Sequence, residues 1–151
     1  MALITLGANG LGAGVGGKIL QVSDMVSINT EQTLATETYT DLTSASINIT
    51  PSSTSSKIFM HTNVNAKYHV GGSGYGLKFF RDSTAVFESF NTIASYMIDQ
   101  TERDIASFSY IDSPSTTSQI TYKIKVGTYI GREVRFQNSC PTTFYLMEIQ
   151  G

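Results

Sequence analysis

The chain has no tryptophan, one cysteine, two histidines and three prolines. A lone cysteine, Cys140, excludes an internal disulfide and any zinc site built on several cysteines. With no signature tying it to a histidine and an asparagine, it does not read as a nucleophile. Charge is scarce as well, at 15% of residues against about 25% in an ordinary soluble domain. That removes the coiled-coil class, which needs Glu, Lys and Arg in quantity. The net charge of −2 argues against a nucleic-acid partner, which calls for a basic face. No apolar run approaches the ~20 residues of a membrane helix, so no membrane insertion is expected. No early positive charge precedes an apolar core, so no secretory leader is expected, and synthesis in a reducing cytoplasm fits the single thiol.

What fills the space is hydroxyl. Serine (18) and threonine (19) together make 37 of 151 residues. Apolar residues reach 40%, which is enough to build a core and too much for a disordered chain. A surface made of Ser, Thr and Asn suits strands, whose exposed positions accept them.

The first 17 residues differ from the rest. An apolar start, Met1 to Leu6, runs into a glycine-rich stretch, Gly7 to Gly17, and no residue of the segment is charged. It cannot bury enough side chain to fold alone. We read residues 1–17 as a docking or assembly arm, with Leu3, Ile4, Leu6, Gly7, Gly10, Gly12, Gly14 and Gly17 as its characteristic residues, and residues 18–151 as one domain. Gly12 to Gly17 satisfies the glycine spacing of a dinucleotide loop. A strand-like segment follows it where a helix is required, so nucleotide binding is rejected, and no other cofactor is implied.

From Lys18 onward the hydrophobic period is two. Strands are predicted at 18–26, 38–50, 57–68, 75–81, 85–90, 105–111, 119–128, 134–137 and 143–149, with a long loop over 91–103 that holds a short strand near 95–98. Ser/Thr/Pro clusters at 51–56 and 112–118 are turns. Short strands at this spacing, with no convincing helix, predict an all-β antiparallel sandwich of the jelly-roll kind.

The closing strand is apolar on both sides: Phe144, Leu146 and Glu148 share one face, Tyr145, Met147 and Ile149 the other. One face of a sandwich strand ordinarily meets water. We therefore expect Phe144, Tyr145, Leu146, Met147 and Ile149 to form a subunit interface, the alternative being cover by a loop or by the chain's own arm. The glycine turn and the long loop supply candidate receptor residues, Gly72, Gly74, Tyr75, Tyr96 and Asp99, because loops held by a rigid sandwich carry recognition.

Catalytic and metal constellations are weak. His61 and His69 lie too far apart along a strand to share an ion. Asp99, Glu102, Asp104 and Asp112 lack calcium-loop spacing and read as solvated loop charge. The basic group Lys123, Lys125, Arg132 and Arg135 reads as the solvent side of two strands. No enzyme activity is expected.

Several strings in order, Gly17-Lys-Ile-Leu-Gln-Val22, Ile49-Thr-Pro-Ser-Ser-Thr-Ser-Ser-Lys-Ile58, Phe80-Arg-Asp-Ser-Thr-Ala-Val86, Phe108 to Ser118 and Leu146-Met-Glu-Ile149, resemble the small β-rich virion and tail-fibre-tip proteins of marine bacteriophages, the cyanophage type. The resemblance spans about residues 17–151. It implies a virion component made in the bacterial cytoplasm: a homotrimeric jelly-roll knob, docked through its arm on other phage proteins of tail or capsid and serving as a fibre or host-attachment subunit, with host surface glycan as a possible ligand. The alternatives are a capsid decoration or cement protein, and a carbohydrate-binding module. The resemblance supplies no catalytic residues.

Overall fold

A computed structural model describes residues 18–69, 71–89, 95–98, 102–137 and 139–151. The arm residues Leu3, Ile4, Leu6, Gly7, Gly10, Gly12, Gly14 and Gly17, and the loop residue Asp99, lie outside the described residues. The strands are β1 (Ile19–Val22), β2 (Val26–Ile28), β3 (Gln32–Leu34), β4 (Thr40–Ile49), β5 (Lys57–Tyr68), β6 (Ser73–Arg81), β7 (Thr84–Glu88), β8 (Ser95–Met97), β9 (Arg103–Asp112), β10 (Ile120–Thr128), β11 (Val134–Phe136) and β12 (Thr142–Ile149). One short 3₁₀ turn, Tyr129–Gly131, follows β10.

Among the described residues every pairing is antiparallel, and the strands fall into two sheets. Several short strands lie end to end and act as one column. β1 and β2 both line β12, while β3 lines β11; β12 and β11 in turn line successive parts of one edge of β5, and β9 takes its other edge. In the second sheet β4, β10 and β6 are neighbours, and β7 and β8 flank β6. Numbering the resulting columns in chain order gives 1-8-3-6 for the first sheet and 2-7-4-5 for the second. This interleaving, in which every step along the chain except that from column 4 to column 5 switches sheets, is the double Greek key of a jelly roll.

The core forms where the two inner faces meet. Strand β12 alternates without exception, with Thr142, Phe144, Leu146 and Glu148 inward and the residues between them half-buried. Phe144 stacks on Phe79 of the opposite sheet at 5.9 Å, and Tyr75 meets Phe136 edge-on at 5.2 Å. The placement of Phe144 and Leu146 corrects the expected subunit interface, because both are fully buried in the chain's own core. Tyr75 is likewise a core residue, fully buried against Phe136, and is not on a receptor surface.

Two departures from the predicted strands have local causes. The segment 18–26 breaks into two strands at Ser23, whose hydroxyl accepts the Leu146 N–H at 2.9 Å in place of a ladder carbonyl. β3, with no periodicity of its own, exists because Val134–Phe136 offers it a pairing edge. Its Gln32 side chain also bridges to β4, accepting from the Thr43 N–H at 2.7 Å and donating to the Asp41 carbonyl at 3.1 Å.

Candidate functional site

Two regions combine exposure with built geometry: one loop end of the sandwich and the outer face of the first sheet.

At the loop end, the turns after β5, around β8 and after β10 are interlocked. Gly74 lies so close under the Ser95 carbonyl that a Cβ there would collide with it, and Gly71 sits equally close to the Ile98 carbonyl. The Arg132 guanidinium crosses Gly72 to donate to the Gly71 carbonyl oxygen. Beneath them the Tyr68 hydroxyl donates to Ser95 Oγ at 2.7 Å, and Ser95 Oγ donates to the Asp104 carboxylate. Burial, with the Asp104 charge adding to it, pushes the Tyr68 phenol well above the ordinary tyrosine range despite the bond to Ser95, so it stays a neutral donor.

On this base stand exposed apolar groups. Tyr96, 46% exposed, meets Tyr129 edge-on at 5.5 Å. Ile98 is 84% exposed, and the neighbouring Ile130 is exposed with φ of 47°. A β-branched residue in the left-handed region is strained, and such strain persists only where the surroundings over-determine it. Of the predicted receptor residues, Gly72, Gly74 and Tyr96 come together here, with Gly74 buried as a packing position. Tyr129, Ile130 and Arg132 complete the cluster; the sequence had placed Arg132 only in a basic group on the solvent side of a strand.

The outer face of the first sheet is organised in rows, since directly paired residues share a face. Val22, Met147, Phe59 and Ile111 form one row across β1, β12, β5 and β9, and Ile19 with Ile149 lies beside it. The next row is Tyr145, His61 and Ser109, with the His61 ring 5.2 Å from Tyr145 and its Nδ1 2.9 Å from Ser109 Oγ. The third row is Thr143, Asn63 and Ser107, with the Ser107 hydroxyl donating to Asn63 Oδ1 at 2.5 Å. His61 is thus an aromatic and hydrogen-bonding member of this face, while His69 is exposed at the end of β5.

The second sheet presents a different outer face. Lys78 pairs with Glu88 at 2.9 Å, and Asp41 receives both Lys123 and Lys125 at 3.4 Å. Lys125 also lies over the Phe80 ring at 4.7 Å. The predicted basic group is divided: Arg135 belongs to the first sheet, where it pairs with Glu133 at 2.9 Å. One face is therefore neutralised and suited to water, while the other carries exposed aliphatic side chains.

Two carboxylates tie the sandwich together. Asp112 at the end of β9 accepts from Tyr122 at 2.7 Å and from Arg81 at 2.9 Å, both on the other sheet. Glu148 accepts from the Ser52 N–H at 2.7 Å, the Ser52 hydroxyl at 2.6 Å and the Gln21 amide at 2.5 Å. Burial pushes the Glu148 carboxyl up, but the bonds from Ser52 and Gln21 outweigh it and hold the group at about 2. Asp104 and Asp112 stand at opposite ends of β9, roughly 27 Å apart at about 3.4 Å per residue, so they do not face each other as a glycosidase pair. Among the described residues no group of three His, Cys, Asp or Glu converges on a metal position.

No family model matches the chain, and no curated protein sequence matches it. Solved structures do. The infectious bursal disease virus VP2 subviral particle matches with a TM-score of 0.52 and 12% identity, over 87% of this chain and 32% of that one. The T=1 particle derived from infectious bursal virus matches with a TM-score of 0.50 and 12% identity, over 87% of this chain and 36% of that one. The likeness is one of fold, and the chain spans about a third of the length of the structures it matches.

Proposed function

We propose that this chain is a non-enzymatic structural subunit of a virus particle, a jelly-roll building block of the shell or of a layer cemented onto it. The observation that carries the reading is the 1-8-3-6 and 2-7-4-5 column order, on a fold shared with particle-forming VP2. The contrast between the two outer faces supports it. A shell subunit needs one face for water and others for neighbours, and the row of Val22, Met147, Phe59 and Ile111 is the apolar one. We assign the subunit interface to Tyr145, Met147 and Ile149, with Val22 and Phe59 beside them, in a homotrimer, and the assembly role to the arm, residues 1–17. The particle is that of a bacteriophage, following the sequence resemblance. Quantitative mass spectrometry of the purified particle tests this. Dozens to hundreds of copies support a shell or cement subunit, a few trimers move the chain to the tail, and absence from particles overturns the reading.

A second reading, host attachment, is favoured by one feature: the rigid loop end bearing Tyr96, Tyr129 and the strained Ile130. Exposed tyrosines stack on sugar rings as readily as they pack on protein. Binding of the full chain to a glycan array, abolished by Tyr96→Ala, would support attachment; no binding would leave the shell reading to stand alone.

A further inference from the structure

The sandwich has four lateral edges, and three of them are guarded. The column beside β12 and β11 is broken into β1, β2 and β3, with a register shift at Ile19/Gln21. β4 pairs with β10 across another shift, and Ser44 there has φ of 62°. β7 and β8 are short, and β7 pairs with β6 across a third shift. Short, bulged edge strands are how proteins avoid unwanted pairing.

The fourth edge is β9, and it has none of these devices. It runs ten residues in unbroken register with β5, from Arg103 opposite Lys67 to Asp112 opposite Ile58. Among the described residues it pairs only with β5, and its other edge meets no ladder partner. Its centre, Ile105-Ala-Ser-Phe-Ser-Tyr-Ile111, contains no charge, no proline and no bulge. Ile105 and Ile111 are 58% and 49% exposed on the outer face. Phe108 and Tyr110, on the inner face at the open side of the sandwich, are only partly buried against the core.

The sequence of this edge is self-complementary. Set antiparallel against a copy of itself and centred on Phe108, it places Ile105 opposite Ile111, Ser107 opposite Ser109, Phe108 opposite Phe108 and Ala106 opposite Tyr110. Each apolar side chain meets an apolar one on its own face of the ribbon, and each serine meets a serine. An interface about a two-fold axis requires such a match, in which the same surface serves both partners. At the two ends Asp104 meets Asp112, and both carboxylates are already held, by Ser95 and by Arg81 with Tyr122. The seven uncharged residues between them form the contact.

We propose that β9 pairs antiparallel with β9 of a second copy, joining the first sheets of two subunits into one continuous sheet. The occupant of the edge is therefore this chain itself. The inference deepens the shell reading and rests on it. A two-fold contact at β9, combined with three-fold contacts through the outer face, supplies the two kinds of symmetry from which a closed shell is built.

The test uses the full chain and reads mass by sedimentation. An edge-to-edge ladder belongs to the small interface class, below about 1,200 Å² in total, so the series extends to high protein concentration. The wild type is expected to double, from monomer to dimer or from trimer to hexamer. I105K/I111K places lysine opposite lysine and abolishes the doubling. I105K/I111E places lysine opposite glutamate and restores it. Within one chain these positions are roughly 20 Å apart at about 3.4 Å per residue, so the rescue cannot arise inside a subunit. Both positions are exposed, and thermal melting confirms that the variants fold. In a Cys140→Ser background, a Ser107→Cys chain mixed with a Ser109→Cys chain forms a disulfide-linked pair faster than either chain alone. A wild type that never doubles, a lysine pair that changes nothing, or a glutamate that fails to rescue overturns the proposal. A chain abundant in particles but failing here loses the β9 contact alone, whereas absence from particles removes the shell reading itself.

Discussion

The hydroxyl of Tyr122 on one sheet donates to the carboxylate of Asp112 on the other at 2.7 Å, and Arg81 meets the same carboxylate oxygen at 2.9 Å. Both donors converge at the point where β9 leaves the sandwich. Burial keeps the Tyr122 phenol far above the ordinary tyrosine range, and the Asp112 charge adds to this, so the hydroxyl is a donor at neutral pH. Removing one donor should cost about 2 kcal/mol, since the bond is to a charged group. Tyr122→Phe is expected to lose that much in denaturant unfolding. Asp112→Ala should lose more, because it leaves both donors without an acceptor.

Glu148 sets an acid limit. Its carboxyl titrates at about 2 in the folded chain against an ordinary value of 4.5. A carboxylate held low contributes its stability in full above its unfolded value and loses it as pH falls from there through the folded one. The contribution is on the order of 3 kcal/mol. Unfolding free energy should therefore fall as pH drops from about 4.5 towards 2. Glu148→Gln should be less stable at neutral pH and show a shallower acid limb.

Adjacent positions on β12 should behave differently. Phe144→Ala opens a cavity against Phe79 and should cost about 3–5 kcal/mol. Met147→Ser, on the outer face, should cost about 1 kcal/mol or less in the isolated subunit and act on assembly instead. Equal losses of stability at the two sites would contradict the assignment of faces.

Ile130 stores strain at the loop end. Ile130→Gly should raise the unfolding free energy by about 1 kcal/mol, since glycine accepts the left-handed conformation without the Cβ clash. If the strain serves attachment, the same change should weaken glycan binding while it stabilises the domain.

Deleting residues 1–17 should leave the melting temperature of the sandwich unchanged, because its core is built from residues 28–146. The shortened chain should fail to enter particles. Its incorporation at normal copy number would show that the arm has no part in assembly.

Most of the strands were legible in the sequence because alternation reports one wet and one dry face directly. β5 begins and ends where its pattern does, at Lys57 and Tyr68. The alternation of Phe144, Leu146 and Glu148 against Tyr145, Met147 and Ile149 was legible too, but which set faced inward was not. Both were apolar, and a period of two fixes two faces without ranking them. Tyr75 was misplaced for a related reason, since a tyrosine beside a glycine turn reads equally as surface or core. Asn65 sat among polar neighbours in the pattern and is nevertheless buried, beside Thr142, whose hydroxyl accepts its N–H at 3.2 Å. The loop cluster of Tyr96, Tyr129 and Arg132 joins segments more than thirty residues apart, beyond the reach of any local signal.

The sequence alone determined the class: scarce charge, abundant hydroxyls and a period of two can satisfy burial only as packed antiparallel sheets. The tertiary structure decided the column order, which of two apolar faces became core, and which edge stayed unguarded. Those outcomes depend on non-local pairing, where a strand such as β3 forms only because another offers an edge and a residue such as Phe144 is buried only because Phe79 lies across from it.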